Sequence, residues 1–314
     1  MNYNTNKIVE IVAAKIKNSY LDLLNYNSFD TWKEKYLKIE NKIKTIFPEN
    51  VQQNFPLHDD VLKLVIKVLF NKMPFSKPYI LKKYEHEFKE KSYLLFPAKK
   101  PKRLIILFSG LSGHKTYNRY SWYWDEGEMW ERDTVYLFLN DLDEHWYVGT
   151  DKKPTREIYI KIIQHVLNKF KIDRRNTFTV GGSMGAYGAL LFAIDMGLKG
   201  AIAIHPQTNY KSVRKHKAND WEEKIRESGA QFYDLDDFIF KRDYIPFIYI
   251  EYGDYESDKE AAEKFIHQLQ KREIFIIIRK TANKGHVTNN PSKTTIESII
   301  STFENTGFDD EFIK

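Results

Sequence analysis

The stretch Thr177-Phe-Thr-Val-Gly-Gly-Ser-Met-Gly-Ala186, running on to Met196, decides how this chain is read. Thr177, Phe178, Thr179 and Val180 are β-branched or aromatic, the composition of a buried strand. Ala186 to Met196 is rich in alanine and leucine and reads as a helix. Between them stands Gly181-Gly182-Ser183-Met184-Gly185, a G-x-S-x-G pattern in a strand–turn–helix setting. Such a turn is so tight that larger flanking side chains would strike the strand or the helix, and it holds the Ser183 hydroxyl at the tip of the strand. A glycine-rich phosphate cradle is the competing reading. Gly182, Gly185 and Gly188 give only Gly-x-x-Gly-x-x-Gly, not G-x-G-x-x-G, and no G-x-x-x-x-G-K-[ST] occurs.

Outward from this turn, short apolar runs alternate with helical stretches. Strands are expected at 103–108, 134–139, 201–204, 246–250 and 274–278, and helices at 155–170, 259–271 and 294–303. Alternation of apolar strands with helices implies a mostly parallel sheet covered on both faces. Residues 207–245 interrupt the sheet between consecutive strands. Residues 1–80 have a different texture: Ile8, Ile11, Val12 and Ile16, then Trp32, Tyr36, Ile39, Ile43 and Ile46, fall at helical spacings. The expected division is therefore an N-terminal helical region, 1–80, and an α/β domain, 81–314.

Composition narrows the chemistry. Zero cysteines among 314 residues exclude thiol nucleophiles, thiolate metal sites and disulfides. The 49 basic and 43 acidic side chains leave a formal charge of +6, too even for a chain whose business is nucleic acid, and the basic residues are scattered. The first twenty residues place lysines within the apolar stretch and offer no cleavage site, and no run of about 18 apolar residues occurs, so a cytoplasmic protein is expected. Attachment to a membrane would then come through partners.

A serine hydroxyl needs a base to take its proton during attack. His286, in Asn283-Lys-Gly-His-Val-Thr288, follows the last expected strand and precedes the last helix, where the order nucleophile, acid, histidine puts the base. His114 and His205 follow strand ends and read as structural or substrate-contacting. The acid belongs in Glu251-Tyr-Gly-Asp-Tyr-Glu-Ser-Asp258, where three carboxylates compete. Glu256, three residues beyond Gly253, is favoured. Asp258 reads as a helix N-cap and Asp254 as a turn residue, and both stay open as alternatives. The acid would fix the His286 tautomer and stabilise its imidazolium. For the developing oxyanion, the backbone N–H of Met184 is one donor. The second is assigned to Leu111, in the loop Ser109-Gly-Leu-Ser-Gly113.

Taken together, FSGLSG, GGSMG, YGDYESD and NKGHVT resemble the α/β-hydrolase superfamily over about residues 100–305, in the family's order. The resemblance implies an α/β-hydrolase fold, a cap at 207–245, a serine nucleophile, no metal and no bound cofactor. The polar aromatic stretch KTYNRYSWYWDEGEMW and the Glu–His separation are similar to bacterial glycan-modifying members, namely capsule O-acetyltransferases and hydrolase-like proteins of the accessory secretion system. That narrower resemblance implies acyl transfer to a glycan with acetyl-CoA as an acyl donor, the alternatives being a carboxylesterase or deacetylase that hydrolyses an ester with the same residues, or a non-enzymatic scaffold role in a membrane-associated secretion or polysaccharide-export assembly. Trp122 and Trp124 would then offer aromatic faces to a sugar, unless they pack in the core. Lys211, Arg214 and Lys215 would hold an anionic polymer or acyl-CoA phosphates, unless they are a solvated surface run.

Overall fold

The structure, a computed structural model, describes residues 77–111, 117, 133–215, 219–286, 291 and 293–306, together with Lys38 and Asn41. The expected helices of residues 1–80 lie almost wholly outside the described residues, apart from α1 (Lys77–Tyr84). Residues 86–123 and 129–314 form one compact unit, distinct from the rest of the chain.

The strands are β1 (Glu85–Phe88), β2 (Lys91–Phe96), β3 (Arg103–Phe108), β4 (Thr134–Leu139), β5 (Thr177–Gly182), β6 (Gly200–Ile204), β7 (Phe247–Tyr252) and β8 (Ile276–Lys280). They make one sheet in the order β1-β2-β4-β3-β5-β6-β7-β8. From β4 to β8 every pairing is parallel, and β2 joins β4 antiparallel with Tyr93 opposite Leu139. The buried runs Leu104–Phe108 and Val135–Leu139 are apolar throughout because helices cover both faces of a parallel sheet. The hairpin of β1 and β2 was not expected. Its turn residues, Lys89 and Glu90, both adopt positive φ, at 47° and 62°, without the Asn-Gly signature that marks such turns.

Helices α2 (Thr155–Phe170), α3 (Met184–Met196), α4 (Tyr210–Lys215), α5 (Asn219–Ser228), α6 (Leu235–Phe238), α7 (Glu256–Lys271) and α8 (Lys293–Asn305) follow. Nearly every residue of α3 is buried, which explains a composition of Gly, Ala, Leu and Ile with no polar face. No helix among the described residues is long and apolar enough to cross a membrane.

Two features of this topology place the site. The chain leaves β3 toward β4 on one side and returns to β5 on the other, so the carboxyl ends of β3 and β5 form a topological switch point, the place where open α/β sheets generally bind ligands. The segment between β6 and β7 carries α4, α5 and α6. It is pinned to the sheet domain by polar contacts: Tyr187 Oη of α3 donates to the Tyr233 carbonyl at 2.9 Å, and Lys264 of α7 pairs with the buried Asp236 at 2.7 Å, while within the segment Asp236 accepts from Asn209 at 2.9 Å.

Candidate active site

Ser183 stands between β5 and α3 with φ 57° and ψ −127°, a conformation that costs a non-glycine residue on the order of 1–3 kcal/mol. Its surroundings hold it there. The Ser183 N–H donates to the Ile204 carbonyl at 2.9 Å, and the Ser183 carbonyl accepts from Ala186 at 2.9 Å. A Cβ on Gly181 would collide with the Gly185 backbone, and one on Gly185 would strike the Phe108 and Ser109 carbonyls. The glycines of the motif are thus required by close approach of β5, α3 and the end of β3.

Ser183 Oγ lies 2.7 Å from His286 Nε2, although 103 residues separate them in sequence. His286 Nδ1 lies 2.9 Å from both carboxylate oxygens of Asp258. A serine hydroxyl, an imidazole and a carboxylate therefore form one continuous hydrogen-bonded line. Burial works to raise the Asp258 pKa, but the His205 and His286 side chains beside it outweigh that and hold the carboxyl below its ordinary value. Asp258 is thus kept ionised in a fully buried position.

Glu256, the favoured acid, is not at His286. Its side chain is 86% exposed and lies 3.7 Å from Lys215 on the surface, whereas the Asp258 side chain is 0% exposed. The physical reason is where α7 begins. The helix starts at Glu256 with Tyr255 as N-cap, three residues before the expected Lys259, so both carboxylates are helical. Two positions along a helix is a rotation of about 200°, which turns Glu256 to solvent and Asp258 to the sheet. For the same reason Asp258 is not the N-cap. Asp254 is also away from the imidazole, half-exposed between Lys259 at 3.9 Å and Lys280 at 3.7 Å. Its contribution is through the backbone. The Asp254 N–H donates to the Asn283 carbonyl at 2.6 Å, which ties the acid loop to the histidine loop.

Met184 opens α3 directly after Ser183, where the first N–H groups of a helix have no partner within it. Leu111 is half-buried against the core, two residues beyond Ser109. The loop that bears it begins at the elbow, because Ser109 borders Gly185. Tyr147 Oη fixes that loop by donating to the Ser109 carbonyl at 2.7 Å and to the Leu139 carbonyl at 3.2 Å.

Trp122 and Trp124 lie outside the described residues. Lys211, Arg214 and Lys215 are exposed, and each meets a carboxylate: Lys211 reaches Glu260 at 3.0 Å, Arg214 reaches Glu222 at 3.4 Å, and Lys215 pairs with Glu260 and Glu256. Their charge is largely answered within the protein. The aromatic side chains that do border the site carried no sequence signal. Trp221, from α5, sets its ring edge-to-face on His286 at 5.7 Å between centroids, and Tyr255 lies 6.0 Å away. Trp146 meets Trp221 edge-to-face at 5.8 Å between centroids and donates from Nε1 to Gln207 at 3.1 Å. His205 is also here: its Nδ1 lies 3.2 Å from Asp258 Oδ2, and its ring is 6.3 Å from that of His286.

No family model matches this sequence, and neither does the sequence of any curated protein. Solved structures do match. FphF, a fluorophosphonate-binding serine hydrolase of Staphylococcus aureus solved with substrate bound, is 16% identical with a TM-score of 0.55, over 70% of this chain and 96% of its own. The capsule O-acetyltransferase of Neisseria meningitidis serogroup A is 18% identical with a TM-score of 0.51, over 69% of this chain and 93% of its own. A chain of the glycosylation-associated Gap123 complex of Streptococcus agalactiae is 14% identical with a TM-score of 0.53, over 70% of this chain and 45% of its own. The eight-strand order, the Ser183 turn and these likenesses agree on one architecture: the chain has the α/β-hydrolase fold.

Proposed function

We propose that this protein is a serine-dependent acyl-transfer enzyme acting on esters, with Ser183 as nucleophile, His286 as general base and acid, and Asp258 as its carboxylate partner. The observation that carries this reading is the unbroken line from Ser183 Oγ through the His286 ring to Asp258. In the forward step His286 Nε2 takes the hydroxyl proton while Ser183 Oγ attacks the ester carbonyl. Asp258 stabilises the imidazolium that forms. The oxyanion is met by the N–H groups of Met184 and Leu111, and His286 then returns the proton to the leaving group. An acyl-serine remains, and His286 activates the hydroxyl that discharges it.

The finer reading is that this second hydroxyl belongs to a sugar, which makes the enzyme a glycan O-acetyltransferase with acetyl-CoA as donor. It is supported by the likeness to a capsule O-acetyltransferase and by the site's closure. Ser183 is only 8% exposed and Trp221 covers one face of His286, conditions that favour a bound acceptor over bulk water. Hydrolysis by the same residues is the second reading, favoured by the likeness to FphF. Labelling with a fluorophosphonate probe, lost in Ser183→Ala, tests the shared chemistry. Acetyl release from acetyl-CoA or a small acetyl ester, measured with and without capsular glycan, separates the two: acceleration and acetylated glycan support the transferase, and equal release in both supports the esterase.

A further inference from the structure

Asp258 faces two imidazoles, and the mechanism above uses one. Its Oδ1 and Oδ2 both lie 2.9 Å from His286 Nδ1, and its Oδ2 also lies 3.2 Å from His205 Nδ1. His205 is 1% exposed and sits immediately after β6, on the catalytic edge of the sheet. Its backbone is committed: φ is 49°, and its N–H donates to the Glu251 carbonyl of β7 at 2.7 Å. Positive φ is rare for a histidine, and it persists only where the surroundings enforce it. Nδ1 makes no well-aligned hydrogen bond among the described residues, and the Asp258 carboxylate at 3.2 Å is the acceptor beside it. A buried imidazole nitrogen with one carboxylate beside it has a single favourable use, to donate to that carboxylate.

We propose that His205 is a positioning residue for the triad carboxylate: with its proton on Nδ1, it holds Asp258 Oδ2 so that the carboxylate stays ionised and aligned with His286. The inference rests on the functional reading above, because it assigns His205 a role through His286. Without the His205 donor, a carboxylate at 0% exposure loses compensation for its desolvation. Asp258 then binds a proton more readily, which moves the acid limb of kcat/KM to higher pH.

The experiment compares wild type, His205→Leu and His205→Asn on a small acetyl ester. Asparagine tolerates positive φ and presents an N–H where Nδ1 stood. His205→Leu should lower kcat on the order of 10- to 100-fold, as loss of partners that orient a reactive side chain generally does, with KM little changed. Its acid limb should shift upward, and His205→Asn should restore most of both. A lowered kcat with an unmoved limb, or a limb that asparagine does not restore, overturns the proposal. A second measurement needs neither turnover nor a variant at His205. The ¹⁵N shifts of the imidazoles in Ser183→Ala should show His205 protonated at Nδ1, and further substitution of Asp258 by Asn should perturb them. A bare Nδ1 on His205 overturns the inference even if the enzyme is active. Loss of all Ser183-dependent turnover in wild type would instead strike the functional reading and leave the tautomer result standing.

Discussion

Gly253 lies with its Cα against the carbonyl of Asn283, so close that a methyl group there would collide with it. The contact joins the loop after β7, which leads to Asp258, to the loop after β8, which carries His286. Gly253→Ala must therefore push the two loops apart. Forced overpacking of this kind costs about 1–3 kcal/mol. We expect a lower melting temperature and a loss of ester turnover larger than the stability change alone would give, measured by calorimetry and steady-state kinetics on one preparation.

The two carboxylates of the first turn of α7 should separate cleanly. Asp258→Asn leaves the His286 tautomer and the imidazolium unsupported and should lower kcat by about 10⁴-fold. Glu256→Gln, on the solvent side, should leave turnover within about twofold of wild type, the range of a surface change. Equal effects of the two substitutions would remove Asp258 from its assigned role.

Asp141 is buried at the end of β4. Its Oδ2 accepts from the Tyr147 N–H at 2.8 Å, while its Oδ1 has no partner among the described residues. Burial pushes its pKa above the ordinary aspartate value, with the Tyr147 hydrogen bond opposing. For an acid with a raised folded-state pKa, the unfolded chain releases the proton first as pH rises. Folding is therefore weakened above the unfolded pKa, and the loss is complete once pH exceeds the folded value. Asp141→Asn removes that loss and keeps an acceptor for Tyr147. Its denaturant midpoint should exceed that of wild type at pH 7, and the gain should vanish toward pH 3.

Tyr147→Phe tests the loop that bears Leu111. The change deletes a buried hydroxyl shared by the Ser109 and Leu139 carbonyls and should cost about 1–3 kcal/mol. Because Ser109 borders the elbow, kcat should fall while fluorophosphonate labelling slows but persists. A stable variant with full turnover would show that the Leu111 loop is held by other contacts.

The turn at Ser183 was legible because three constraints coincide in five residues: a buried strand before it, a buried helix after it, and glycines where no Cβ fits. The place of His286 beside Ser183 was legible from chain order alone. A helix boundary places Asp258, and not the favoured Glu256, beside His286. Tyr255, the N-cap of α7, makes no side-chain cap hydrogen bond, so nothing in the sequence marks the start that rotates Asp258 inward. The hairpin of β1 and β2 escaped notice because Lys89 and Glu90 take up left-handed conformations that their side chains do not advertise. Trp221 reaches the site through tertiary packing, which single-chain periodicity does not encode, whereas His205 was marked by its place after a strand end with its partner left open.

The backbone angle of Ser183 also decides which alcohol the protein can use. Threonine carries the same reactive group, yet its extra methyl branches at Cβ, and a branched residue is a genuine outlier where φ is 57°. The pinch between strand and helix thus shuts the secondary alcohol out before any question of reactivity arises. Steric shape, fixed by the neighbouring glycines, admits serine at position 183 and excludes threonine.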